Sequence, residues 1–219
     1  MTLQLFAHPF SSYCQKVLVA LYENDTPFEL RRLSHDRPEI MDELRAHWPI
    51  GKFPVLLDDG RPLIEASIIV EHLDIHHPGP VRLIPAEPDA ALEARFWDRF
   101  FDNYVATPQN KFVDDALRPP EARDPLGVER AGAMLDTAYA ILDRHMAERE
   151  WAAGDSFSLA DCAAAPQLFY ADWTHPIGDR FPAVTAYRQR LLRRPSFARC
   201  VEEARPYRPL FPLGAPDRD

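Results

Sequence analysis

Gly51 Lys52 Phe53 Pro54 Val55 Leu56 Leu57 Asp58 Asp59 Gly60 is the stretch on which the reading of this chain turns. Proline has no N–H for a sheet ladder, so Pro54 fits the head of a Val-Leu strand in only two ways. A cis Phe53-Pro54 bond would turn the first backbone groups of the strand toward a ligand. The alternative is a trans proline opening an edge strand. Just downstream, Asp59 Gly60 is a strong two-residue hairpin signal, so Val55 to Asp58 and Arg61 to Ile64 are predicted to pair.

Working outward, Leu3 to Phe6 and Phe28 to Arg32 read as strands, and Tyr13 to Glu23, Pro38 to Ala46 and Glu65 to His76 as helices. That order defines a small α/β domain with a mixed four-stranded sheet over residues 1–77. Proline and glycine break the periodicity next, which places a linker at 78–88. Residues 89–219 carry helical spacing in Asp89 to Val105, Gly127 to Glu148, Leu159 to Tyr170, Phe181 to Arg193 and Ser196 to Arg205. Leu159 to Tyr170 is apolar on nearly every side, which predicts a helix buried all round. The tail holding Pro206, Pro209, Pro212 and Pro216 is predicted to be non-helical. The fold class is therefore α/β plus all-α, a sheet domain followed by a C-terminal helical bundle.

Composition excludes several partners. With 34 acidic and 25 basic residues among 219, the net charge of -9 supplies no basic surface for nucleic acid or an anionic membrane. Cys14, Cys162 and Cys200 are odd in number and far apart, which fits a reducing compartment better than a disulfide framework. No segment approaches the roughly 18 apolar residues of a membrane span, and Met1 to Phe6 has no basic leader, so the expectation is a soluble, cytoplasmic protein.

The chemistry concentrates at the first strand-to-helix turn, His8 Pro9 Phe10 Ser11 Ser12 Tyr13 Cys14 Gln15. Ser12 and Gln15 have capping-box spacing, which leaves Ser11 just outside the cap and aimed at whatever sits by the helix N-terminus. Unpaired N–H groups there favour an anion. Ser11 and Cys14 also have the spacing of a Cys-x-x-Cys redox motif with serine in first place. Serine forms no mixed disulfide, but its hydroxyl can donate a charge-assisted hydrogen bond to a thiolate that a ligand brings. Cys14, one turn inside the helix, reads as a small buried hydrophobe.

Ser11 to Leu21, Gly51 to Leu56, Leu63 to Leu73 and Ser158 Leu159 Ala160 Asp161 together resemble the cytosolic glutathione transferase family, in its serine-type, bacterial-like members, over nearly the whole chain. The resemblance implies a thioredoxin-like N-terminal domain that binds glutathione as co-substrate, a helical C-terminal domain lining the electrophile pocket, and a homodimer. Ser11 would bond the glutathione thiolate, Phe53 would pair through its backbone beside a cis Pro54, Glu65 would hold the γ-glutamyl ammonium, and the N–H of Ala66 its carboxylate. The family usually has serine at position 66, so affinity is expected to suffer, with Ser67 a partial substitute. Lys52, His35 and Arg37 are the candidates for the glycyl carboxylate. Phe10, Phe101, Tyr104, Phe112 and Trp173 are the aromatic candidates for the second substrate, and Trp48 Pro49 lies on a loop that could rim the pocket.

Three readings of function stay open. The first is transfer of an alkyl or aryl electrophile to glutathione, a detoxifying conjugation driven by Ser11. The second is a binding or regulatory module of the same fold with weak or no catalysis, which Ala66 favours. The third is thiol exchange or peroxide reduction with Cys14 as the working sulfur. His72 and His76, four apart and next to His77, could share a metal ion, but only Glu71 on another face offers a carboxylate, so no metal is assigned. Ser156 and Ser158 lack the Gly-x-Ser-x-Gly surroundings of a nucleophile, and capping with Asp161 accounts for Ser158.

Overall fold

The computed structural model describes residues 2–219. Strands β1 (Leu3–Ala7), β2 (Glu29–Arg32), β3 (Val55–Asp58) and β4 (Arg61–Ile64) form one mixed sheet in the order β2-β1-β3-β4. β1 runs parallel to β2 and antiparallel to β3, which pairs antiparallel with β4. The Asp59 Gly60 hairpin forms as predicted, with both residues at positive φ (47° and 84°), the pattern of a type I′ turn. Helices α1 (Ser12–Glu23), α2 (Pro38–His47) and α3 (Ala66–His76) complete this thioredoxin-like portion.

Two-residue periodicity divides the sheet between two cores. Leu3, Leu5 and Ala7 of β1 and Leu56 of β3 pack on the face shared with α1 and α3. Phe6, Val55 and Leu57 face the other way, onto Ile40 and Leu44 of α2. The first of these cores continues without a break into the helical portion.

That portion comprises α4 (Pro88–Phe100), α5 (Thr107–Ala116), α6 (Pro125–Met146), α7 (Leu159–Thr174), α8 (Pro182–Arg193) and α9 (Pro195–Ala204). The sequence ended its first helix at Val105, but the chain runs on through a π-helical stretch, Phe101–Ala106, into α5. Proline is tolerated near a helix start, where its missing N–H costs least, and Pro108 takes that place in α5. The tail also departs from expectation: Arg205–Leu210 forms a 3-10 helix despite Pro206 and Pro209. α7 is buried from Leu159 to Asp172, and a Ser158–Asp161 capping box starts it. Among the described residues, no helix is long and apolar enough to cross a membrane.

Candidate active site

A run of local hydrogen bonds fixes the turn between β1 and α1. Phe10 N donates to His8 Nδ1 (3.1 Å) and Ser11 N to His8 O (3.0 Å). Cys14 N donates to Ser11 Oγ (3.4 Å), which makes Ser11, and not Ser12, the N-cap of α1. The expected Ser12–Gln15 box gives way because Gln15 is drawn inside, where its amide donates to Pro9 O (2.8 Å) and Tyr170 Oη (3.1 Å). An Oγ that accepts from a backbone N–H still has its own proton to donate elsewhere.

Ser11 borders a cleft of about 630 Å³ between the sheet domain and α5. Lys52, Phe53 and Pro54 supply one wall, and the Phe53-Pro54 peptide is cis. Glu65 and Ala66 supply another, where α3 begins, and Asn110 and Asp114 of α5 complete the lining. Glu65 sits at φ 72° and ψ 120°, a conformation that L side chains rarely adopt. A second, smaller pocket of about 260 Å³ adjoins the first and shares Ser11, Tyr13 and Asn110 with it. Its remaining walls are largely apolar: Phe10, Val113, Leu117, Tyr170 and Phe211. Phe10 stands edge-on to Tyr170, with ring centroids 5.4 Å apart.

Burial sets the protonation states here. The Cys14 thiol has no solvent access and is pushed up to about 11, against an opposing hydrogen bond from Ser11. Burial, and then the charge of Asp102, push the Tyr13 phenol up to about 12. Near neutral pH, therefore, Cys14 stays a thiol and Tyr13 stays a hydrogen-bond donor.

The structure brings Ser11, Lys52, Phe53, Pro54, Glu65 and Ala66 to one cleft, with Phe10 in the adjoining pocket and Trp48 on the rim. Ser67 is turned away. Its Oγ accepts from Lys16 Nζ (2.9 Å) and donates to Asp98 Oδ2 (2.8 Å), as the helical rotation of about 100° per residue requires. Phe101 is buried against Trp97 and Phe100, Tyr104 packs on Phe100 with its surface half open, and Phe112 faces His175. None of the three lines either pocket, nor do His35 and Arg37. Trp173 stands behind the smaller pocket, packed on Phe10 and Phe211. The sequence did not point to the face of α5 made by Asn110, Val113 and Asp114, with Leu117 at its C-cap. Hydrophobic periodicity gives no signal for this face, because Asn110 and Asp114 are polar; only the spacing 110, 113, 114, 117 beyond Pro108 marks one side of a helix.

This architecture has known counterparts. Residues 5–81 match the family described as "Glutathione S-transferase, N-terminal domain" and residues 125–190 the family described as "Glutathione S-transferase, C-terminal domain". A probable glutathione S-transferase of Nicotiana tabacum is 32% identical over 156 residues, which is 71% of this chain and 65% of that protein. A glutathione S-transferase from Methylobacterium radiotolerans, solved in complex with glutathione sulfonate, is 31% identical with a TM-score of 0.79, covering 92% of this chain and 95% of that one. One from Methylobacillus flagellatus, with glutathione bound, is 27% identical with a TM-score of 0.82 over 91% of this chain and 98% of that one. The chain belongs to the glutathione S-transferase family.

Proposed function

We propose that the protein is a glutathione transferase that holds glutathione in the larger cleft and a small hydrophobic electrophile in the smaller pocket. The observation that carries this reading is the position of Ser11, the N-cap of α1, on the seam shared by both pockets. The Ser11 O–H donates to the glutathione sulfur and stabilises the thiolate as the thiol proton leaves to water. The sulfur then forms its bond to the electrophilic carbon, in an aryl or alkyl halide as the carbon–halogen bond breaks and halide leaves to solvent, so catalysis consists of positioning and electrostatic stabilisation. Phe53 pairs with the cysteinyl backbone beside Pro54, Glu65 holds the γ-glutamyl ammonium, the Ala66 N–H meets its carboxylate, and Lys52 meets the glycyl carboxylate. The full burial of Cys14 argues against the thiol-exchange reading. We also assign a homodimer in a reducing, cytoplasmic compartment. The exposed apolar residues Ile68 and Ile75 of α3 and Leu92 and Phe96 of α4 suit a partner surface, and the free buried cysteines suit the compartment.

One observation favours a binding module instead. Ala66 has no hydroxyl, and the hydroxyl of Ser67 is engaged by Lys16 and Asp98. A carboxylate at the start of α3 would then lack a side-chain donor, a loss on the order of 1 to 3 kcal/mol. Calorimetric titration with glutathione, followed by turnover of a panel of aryl and alkyl halides, separates the two. Binding with turnover supports the transferase, binding without turnover supports the module, and no binding removes both.

A further inference from the structure

Away from the cleft, Asp58, His72 and His77 converge where β3 ends and α3 runs out. Asp58 Oδ2 lies 2.8 Å from His72 Nε2 and 2.8 Å from His77 Nε2. The three ligand atoms fall within 4.8 Å of one another, and each side chain is mostly shielded from solvent. The ring of His76, on the solvent side, has its centroid 4.4 Å from that of His72. We propose that this cluster is a binding site for a divalent transition-metal ion of the Zn²⁺ type, which clamps the end of the sheet to the end of α3.

The ligand set selects the class of ion. Two imidazole nitrogens with one carboxylate suit Zn²⁺, Co²⁺, Ni²⁺ or Cu²⁺, whereas Mg²⁺ and Ca²⁺ prefer all-oxygen shells. Tetrahedral bonds of about 2.0 to 2.1 Å set neighbouring ligand atoms about 3.3 Å apart. The nitrogens and the carboxylate oxygen need to part by only about half an ångström to reach that spacing. Each imidazole then offers the Nε2 lone pair and carries its proton on Nδ1. Water or His76 completes the shell.

The site is built on rigid elements. Asp58 is held in register against Leu3 of β1 and Arg61 of β4. His72 is helical, and the N–H of His77 closes α3 by donating to Leu73 O (2.9 Å). His77 itself leaves the helix, with φ -130° and ψ 52°. That departure brings it round to Asp58 although five residues of ideal helix would place it on a different face from His72. The carboxyl end of a helix also carries partial negative charge, which favours a cation. Asp58 is three residues along β3 from Val55, about 10 Å from the edge of the cleft, so the clamp stands apart from transferase chemistry.

The test is titration of untagged, chelator-stripped protein with Zn²⁺ by calorimetry and with Co²⁺ by visible absorption. The expected result is one ion per chain, a rise in thermal midpoint with Zn²⁺, and the absorption band of tetrahedral Co²⁺. His77→Ala should abolish all three, and Asp58→Asn should weaken binding at least tenfold. Absence of saturable binding by the unaltered protein overturns the proposal. So does binding that survives His77→Ala unchanged, because the ion would then sit elsewhere. Should His77→Ala fail to fold, His77→Gln takes its place, and the Co²⁺ band of the unaltered protein decides independently: an octahedral spectrum counts against the site.

Discussion

Lys16 Nζ lies 2.5 Å from Asp98 Oδ1, an ion pair shut away from solvent that joins α1 of the sheet domain to α4 of the helical portion. Asp102 approaches the same ammonium at 2.8 Å, and Arg99 closes the network at its exposed rim. Burial pushes the Asp102 carboxyl up, with Lys16 opposing it, so that carboxylate depends on the lysine. Removing one partner of a buried pair leaves an uncompensated charge and costs about 3 to 5 kcal/mol. Arg99 tempers that loss, so Lys16→Met is expected to lower unfolding stability in urea by about 3 kcal/mol. Adding Asp98→Asn and Asp102→Asn to that variant should recover most of the loss. A single variant as stable as the parent would show that the pair contributes nothing to domain docking.

Ser11 is the N-cap of α1 and, in the proposed mechanism, the thiolate donor, and substitution can separate the two roles. As N-cap, its loss to alanine costs about 1 kcal/mol, whereas glycine costs only a few tenths. As thiolate donor, its hydroxyl is absent from both variants. Ser11→Ala and Ser11→Gly should therefore differ in thermal midpoint yet share a turnover loss of tenfold or more and a raised pKa of bound glutathione. Ser11→Thr should retain much of both functions, and Cys14→Ala should keep its turnover. Loss of activity in Cys14→Ala with Ser11→Ala still active would reverse the assignment.

These two residues also mark what the sequence made legible. Local chemistry carried the Asp59 Gly60 hairpin and the Ser158–Asp161 cap, because each depends on neighbours within a few residues, whereas the cap of α1 fell on Ser11 and not on Ser12 because Gln15 bonds Tyr170, 155 residues away. Side-chain direction was harder to read. Phe101 and Tyr104 pack one turn back on Trp97 and Phe100, and Phe112 on the distant His175, so these aromatics serve the core and surface instead of the pockets. Ser67 illustrates the same limit, since its partners Lys16 and Asp98 are 51 and 31 residues away. Asp58 joins His72 and His77 only through the sheet register and a break in the helix, neither of which periodicity reveals.

Glu65 holds a positive φ of 72° at the lip of the cleft, where an L residue costs about 1 to 3 kcal/mol. Glycine adopts that conformation freely and gives back part of the gain through its more flexible unfolded chain. Glu65→Gly should thus be about 1 kcal/mol more stable than the parent by urea unfolding, while its glutathione affinity falls tenfold or more. Glu65→Ala should lose affinity without gaining stability. A glycine variant that binds glutathione normally would take the carboxylate out of the site.

His8 ties the active-site turn to solution pH. Its Nδ1 accepts the Phe10 N–H, which demands an unprotonated nitrogen, and burial lowers its pKa from 6.5, helped by the charges of Arg32 and His35. As pH falls from 6.5 the unfolded chain binds this proton before the folded one does, so the contribution of His8 to stability is full above 6.5 and drains away until the folded pKa is passed. Unfolding stability and turnover, followed from about pH 8 down to about pH 5, should therefore decline together as the turn before Ser11 loses its tie. In His8→Asn the side-chain oxygen can accept from Phe10 at any pH, so that slope should flatten while turnover at neutral pH persists. An identical slope in the variant would assign the acid sensitivity to another group.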